Sequence, residues 1–312
     1  MDCTIAYQVV EIECDKGIAS GKKIAITGST GFLGTALVEL LLREIDDVQL
    51  RLLIRPSGKR SASKRLERDI LRNDAFDQLR EKLGTEGFNE LASNAVKALS
   101  ADISLDNLGL DDTGLRELSE CDIVIHSAAA VSFDEPLDRA AEVNLMGPVR
   151  LVETLQNLDA EPHLVMVSTC YVAGNRKGTA PEKPLSQSPF YVPLNWREET
   201  EAARRTRSYT EDDSRRSENL EKFRGEAKSE LGAPGISVKA TKTEQIRERW
   251  VKEKMVEAGR ERATSLGFSR ALTLLLKLWL NKQFKKFAVT SPYQKCGLQL
   301  LNHLGVTLSQ DG

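Results

Sequence analysis

Residues 22–34 read KKIAITGSTGFLG and constrain the fold more than any other stretch. Lys22 and Lys23 lead into Ile24–Thr27, which reads as a short buried strand. Gly28 breaks it. Ser29, Thr30, Gly31, Phe32, Leu33 and Gly34 follow, and an apolar helical pattern continues through Thr35–Leu42. The glycines are spaced G-x-x-G-x-x-G between a strand and a helix. Such a turn lets backbone approach a pyrophosphate, whose charge is favoured at a helix N-terminus. The expectation is a dinucleotide cofactor and redox or epimerase chemistry. A glycine triad by itself also fits a plain tight turn. The flanking strand and helix favour the cofactor.

The length of 312 residues suits one large α/β domain or two smaller ones, and 40% hydrophobic content can build a core. The net charge of −2 gives no general argument for nucleic acid. Cys3, Cys14, Cys121, Cys170 and Cys296 are scattered with no C-x-x-C pair, and there are only three histidines. This fits a reducing compartment and gives no metal signature, so no metal site is expected. Met1–Ser20 carries four acids and no long apolar run, so it reads as a poorly anchored lead-in rather than a signal peptide. No run reaches the ~20 apolar residues of a membrane span. The expected location is the cytoplasm, with no transmembrane segment; peripheral membrane contact stays open.

Further strands are expected at Val48–Ile54, Ala95–Ala101, Asp122–His126 and His163–Ser168. Glu67–Leu91 reads as a charged surface helix. Asn144 and Gly147 are expected to open a helix running to about Leu158. This alternation implies an α/β fold, a doubly wound parallel sheet of Rossmann type with its site at the strand C-termini. Arg55 follows the second strand, with Lys59, Arg60 and Arg65 nearby. A base there accommodates a 2′-phosphate, which favours NADP over NAD; the alternative is a solvated basic loop. Small residues Ser127–Ala130 let the chain pass close to a flat ligand. Arg197–Glu230 is dense in charge and poor in apolar residues, which predicts a solvated helical insertion with no core role. Glu248–Leu266 reads as an amphipathic helix with Trp250, Met255 and Ala258 on one side.

Together TGSTGFLG, Asp102-Ile103, HSAAAVSF (His126–Phe133), Asn144 and VSTCYVAG (Val167–Gly174) resemble the extended short-chain dehydrogenases/reductases. The sub-pattern is closest to the fatty acyl-CoA reductases of male-sterility type, with support from Arg51–Leu66 and Arg247–Phe268. The resemblance covers about residues 20–268. It implies an NADPH-binding reductase domain over 21–268, with the charged insertion at about 191–246. Gly28, Gly31 and Gly34, with the Ser29–Leu33 backbone, would hold the pyrophosphate. Asp102 and Ile103 would sit by the adenine, and Ala128 and Ala129 by the nicotinamide ribose, with Asn144 in the same cofactor set. Thr169 or Ser168 would donate a hydrogen bond to the substrate carbonyl oxygen. Asp102 as a cap, and Thr169 as an ordinary strand-end hydroxyl, are the structural alternatives. Cys170 reads as a packing residue rather than a nucleophile, and His126, at a strand end, as the holder of a structural hydrogen bond rather than a catalyst. The implied partner is a long-chain acyl-CoA or another acyl thioester. A carrier-bound thioester reductase, a sugar or steroid dehydrogenase, and a non-catalytic NADP-binding remnant remain alternatives.

The resemblance also requires Y-x-x-x-K, a proton-donating tyrosine and a lysine on one helical face. Four residues after Tyr7, Tyr171, Tyr191, Tyr209 and Tyr293 come Glu11, Asn175, Asn195, Asp213 and Gly297, so the motif is absent. It is missing where it belongs, after Gly267-Phe268. There the composition also changes: residues 269–312 hold one acid, Asp311, against six Lys or Arg. A permitted codon choice for Leu272–Trp279, read from its third base, gives Tyr-Thr-Phe-Thr-Lys-Ala-Leu. The same offset within Cys296–Leu304 gives Arg-Pro-Ser-Ile-Ile-Glu-Ser-Ser, similar to the family's next strand. The expectation is a frameshifted tail at 269–312 and a truncation before the family's C-terminal region, against the alternative of a divergent tail.

Overall fold

Five parallel strands form the sheet: β1 (Lys23–Thr27), β2 (Gln49–Ile54), β3 (Val96–Ser100), β4 (Ile123–His126) and β5 (His163–Met166), in the order β3-β2-β1-β4-β5. The computed structural model describes residues 19–132, 135–168, 194–231 and 236–266. The strand limits fall within two residues of those expected, β1 starting one residue earlier and the others lying one or two residues shorter. β1 is central, and its Thr27 lies level with Leu53 of β2 and His126 of β4.

Side chains alternate between two apolar faces, so the sheet needs cover on both. On one face Ile24, Ile26, Leu50, Leu52 and Ile125 pack against α1 (Phe32–Glu44) and α3 (Asp77–Ala95). On the other Ala25, Leu53, Leu99 and Val124 pack against α4 (Asp112–Ser119) and α6 (Gly147–Asn157). Each fully buried Ile or Leu contributes about 1.5–3 kcal/mol of transfer free energy. Because β2 and β4 flank β1 from opposite sides, the connections leaving β1 and β4 diverge. That leaves a crevice at their C-terminal ends.

Two predicted helices differ. The expected helix over Glu67–Leu91 is instead a succession. α2 (Ala62–Arg65) runs into a π-type turn at Leu66–Leu71. A 3-10 turn at Asp74–Phe76 then leads to α3, which breaks at Gly84 (φ 70°). Nor is it only surface. Ile70, Phe76, Leu79 and Phe88 are buried in the core, with Phe76 edge-on to Phe88 at 5.9 Å. Their wide spacing among charges hides them from a helical count. Asn144 does not open α6. After the short α5 (Leu137–Ala140) it lies inside a π-type turn, Ala141–Met146, and α6 starts at Gly147.

The charged segment forms α7 (Trp196–Ser214), α8 (Ser217–Leu231) and α9 (Ile236–Ser265). It is helical, but the expectation of no core role is corrected. Ala203 and Ala263 pack with Leu137, Ala140, Ala141 and Leu145, while Phe223 and Ala227 are buried with Ile246. Its more buried charges are satisfied in pairs. Arg207 donates to both oxygens of Asp138 at 2.8 and 3.0 Å, and Arg204 and Arg150 meet on Glu142. Arg262 pairs with Glu199, and Arg247 with Glu211 and Glu244. Paired arginines let a charged sequence pack where a count of apolar residues predicts solvation. α9 begins well before Glu248. Its buried stripe includes Ile246, Val251, Met255 and Ala263, with Trp250 only partly buried against Phe223.

Candidate functional site

The glycine-rich turn joins β1 to α1 at the crevice. Gly28 has φ 76°, and a Cβ there would lie 2.6 Å from Ala128 N and 2.7 Å from Ser127 C. A Cβ on Gly34 would lie 2.2 Å from Gly28 O. Both positions therefore require glycine. Gly31 has ordinary φ, and a Cβ would come only to 3.3 Å from Gly28 O, so the fold alone does not demand glycine there. Thr35 fastens the turn by donating its hydroxyl to Ser29 O at 3.1 Å.

The turn offers an anion site. Gly31 caps α1 with no side-chain hydrogen bond, and no acid occupies the first turn. The N–H groups of Phe32 and Leu33 find no partner among the described residues, as expected for the first turn of an uncapped helix. Ser29 Oγ is buried with no partner, while Phe32 is 97% exposed. Unmatched donors beside a narrow glycine cradle fit a pyrophosphate.

Opposite stands the turn after β4. Ser127 Oγ donates to Thr27 O at 2.8 Å, and Ala128 N donates to Thr27 Oγ1 at 3.2 Å. Asn144 Oδ1 accepts from Ala130 N at 2.7 Å, and its Nδ2 donates to Ala130 O at 2.9 Å. Asn144 thus clamps the turn and has its amide engaged by backbone. Thr27 and Thr35 were not singled out from the sequence, and Ser127 was read only for its small size. Hydroxyls on either side of the glycines were the available signal.

His126 is fully enclosed, and burial pushes its imidazole down to about 4. The unfolded chain takes up this proton near 6.5, so the stabilising share is complete above that value. It is lost as pH falls toward 4. The expected result is that His126 accounts for about 2 kcal/mol of stability lost between pH 7 and pH 5. Urea unfolding at both pH values checks this: His126→Asn should remove that share, and identical pH dependence in the two proteins would refute it.

Arg55 is exposed after β2, and its side chain makes no hydrogen bond or ion pair among the described residues. Arg65 donates from Nη1 to Arg55 O at 2.7 Å and from Nε to Asp69 at 2.8 Å, so it braces the loop that carries Arg55. Asp102 Oδ1 accepts from Ser104 N at 2.9 Å and Ser104 Oγ at 2.6 Å, which closes a local turn and caps no helix, since the next helical turn begins at Asp106. Ile103 packs on Gly147, where a Cβ would come within 3.0 Å of it. Ala101 N donates to Ile54 O at 3.2 Å, which keeps the ends of β2 and β3 together. Ser168 is exposed just beyond β5. Thr169, Cys170, Phe133, the lead-in through residue 18 and the tail from 267 lie outside the described residues. The one described tyrosine, Tyr209, is exposed on α7. Among the described residues, no helix is long and apolar enough to cross a membrane.

Comparison with known proteins gives a consistent picture. Fatty acyl-CoA reductase 8 of Arabidopsis thaliana is 39% identical over 167 residues, covering 53% of this chain and 34% of that protein. The alcohol-forming fatty acyl-CoA reductase of Simmondsia chinensis is 32% identical over 166 residues, covering 52% of this chain and 34% of its own length. The chain spans about a third of the length of these curated relatives. The crystal structure of the terminal R domain from the myxalamid PKS-NRPS biosynthetic pathway is similar, with 25% identity and a TM-score of 0.43, over 61% of this chain and 46% of that one. The family model described as Male sterility protein matches residues 26–263, most of the chain, and the protein belongs to that family.

Proposed function

We propose that this chain forms the NADP-binding part of an enzyme that reduces a fatty acyl thioester, an acyl-CoA, to aldehyde and onward to alcohol. One observation carries the reading. In a chain of this family, the glycine turn meets Ala128 so closely that even a Cβ is excluded, while the first N–H groups of α1 stay open beside it. The fatty acyl-CoA reductase names of the relatives support the substrate class.

NADPH, when bound, supplies the hydride. The backbone of Gly28–Gly34 binds the pyrophosphate, and Arg55 binds the 2′-phosphate from the loop braced by Arg65. Asp102 keeps one carboxylate oxygen, outside its turn with Ser104, for the adenine amino group, beside Ile103. Ala128 and Ala129 form the floor under the nicotinamide ribose. Ser168 or Thr169 donates a hydrogen bond to the thioester carbonyl oxygen, stabilising the charge that develops there. The scattered cysteines support a cytoplasmic setting. Without Y-x-x-x-K, no tyrosine hydroxyl protonates the oxygen, so we read this chain as impaired. The test is NADPH oxidation by the full chain with a long-chain acyl-CoA, beside calorimetric titration with NADPH and NADH. NADPH binding with little or no turnover is expected. Failure to bind either cofactor would refute the reading.

Arg55→Asp puts a repelling charge where a phosphate partner is proposed. NADPH binding should weaken by on the order of 10–100-fold, with NADH changed less than about twofold, because charge-assisted bonds to phosphate are the strong ones. Equal losses for both cofactors in calorimetry would place Arg55 outside the 2′-phosphate site.

A further inference from the structure

We infer that His126 is a positioning residue for the cofactor site: its Nδ1 fixes the Thr27 hydroxyl, and that hydroxyl seats the Ser127–Ala130 turn against Gly28. The inference rests on the proposed reading of this crevice as the dinucleotide site.

Thr27 Oγ1 lies 2.8 Å from His126 Nδ1 and 3.2 Å from Ala128 N. The Ala128 N–H can only donate, so the hydroxyl accepts from it. The same hydroxyl pairs with Nδ1, in the direction that the imidazole tautomer sets. The other ring nitrogen, Nε2, is buried with no partner, so Nδ1 carries the imidazole's one polar contact among the described residues. Thr27 and His126 are 1% and 2% exposed, so no water replaces either partner from bulk solvent.

The same Ala128 N is the atom that a Cβ on Gly28 would meet at 2.6 Å. The two turns are therefore already at closest approach, and the position of Ala128 N sets the width of the crevice. Asn144 holds the far end of the turn at Ala130. At the near end Ser127 is tied to the Thr27 backbone, its N–H and hydroxyl both donating to Thr27 O, while Ala128 is held by the Thr27 hydroxyl, which His126 fixes. Leucine at 126 keeps much of the apolar volume but leaves the Thr27 hydroxyl without its imidazole partner. The hydroxyl is then free to rotate, and the grip on Ala128 loosens. Asparagine at 126 places an amide group near the position of Nδ1 and keeps the contact.

The test uses the full chain and four variants: His126→Leu, His126→Asn, Thr27→Val and the Leu/Val double. Two quantities are read, the exchange rate of the Ala128 amide in cofactor-free protein by NMR, and the NADPH dissociation constant by fluorescence titration. His126→Leu and Thr27→Val should each speed Ala128 exchange and weaken NADPH by about five- to tenfold, the effect of one net hydrogen bond. The double variant should be no worse than the worse single, because both cut one chain of contacts. His126→Asn should stay within about twofold of wild type. A packing role alone would not be rescued by asparagine. Wild-type exchange in His126→Leu, losses that multiply in the double variant, or His126→Asn as damaged as His126→Leu would each overturn the inference. If the wild-type chain binds no NADPH, the functional reading fails, and the exchange rates still decide whether His126 seats the turn.

Discussion

Gly34→Ala should destroy the cofactor site, and Gly28→Ala should do the same by a different route. At position 34 the added carbon would sit 2.2 Å from Gly28 O and 2.7 Å from Ser29 Cα, so backbone must move. At position 28 it would press on Ala128 N and Ser127 C while φ stays at 76°, a conformation L side chains resist. Overpacking of this kind costs about 1–3 kcal/mol of stability. The displaced turn also loses its aim. Hydrogen bonds to charged groups are worth about 1.5–3 kcal/mol each, so misplacing two backbone donors should weaken NADPH binding by about 100-fold or more. Gly31→Ala is the internal comparison. Its φ is −87° and its Cβ would meet only Gly28 O at 3.3 Å, so it should melt within about 2 °C of wild type. It should still bind NADPH less well, because the new methyl group occupies the rim of the anion site. Thermal melts with NADPH titration on the three variants check this. Wild-type melting and binding by Gly34→Ala would show that the turn has room the geometry denies.

The second large effect concerns turnover. Replacing the segment from Ser269 onward with its frame-restored counterpart should raise acyl-CoA reduction by roughly 10²–10⁴-fold, the usual worth of positioned general acid catalysis. The restored tyrosine would protonate the carbonyl oxygen as the hydride arrives, and the lysine one helical turn away would favour that proton transfer and hold the nicotinamide ribose. NADPH oxidation with a long-chain acyl-CoA, followed in parallel for the two proteins, is the measurement. Equal rates would sink the tyrosine argument and the frameshift account together. Affinity for NADPH should change much less than turnover, since the glycine turn and Arg55 precede the altered segment.

Local sequence was enough to locate the glycine turn, the five strands, α1, most of α6 and the helical character of the charged segment. Each of those signals is carried by residues within a few positions of one another: a period of two in a strand, a period near 3.6 in a helix, a glycine where backbone must bend. It was also enough to show that no Y-x-x-x-K exists in the chain. It misjudged Glu67–Leu91 and Arg197–Glu230, where charge density concealed Phe76, Phe88, Ala203 and Phe223. Those residues are buried because partners far along the chain cover them or neutralise their neighbours, as Asp138 does for Arg207. The working geometry of the crevice was tertiary throughout. Thr27 meets His126 and Ala128 across about a hundred residues, and Asn144 reaches back to Ala130. Arg65 spends its guanidinium on the loop of Arg55, and Asp102 spends an oxygen on Ser104. No periodicity encodes such pairs. They exist only once β1 and β4 lie side by side in register, which places Gly28 against Ala128 and leaves the first N–H groups of α1 facing the gap.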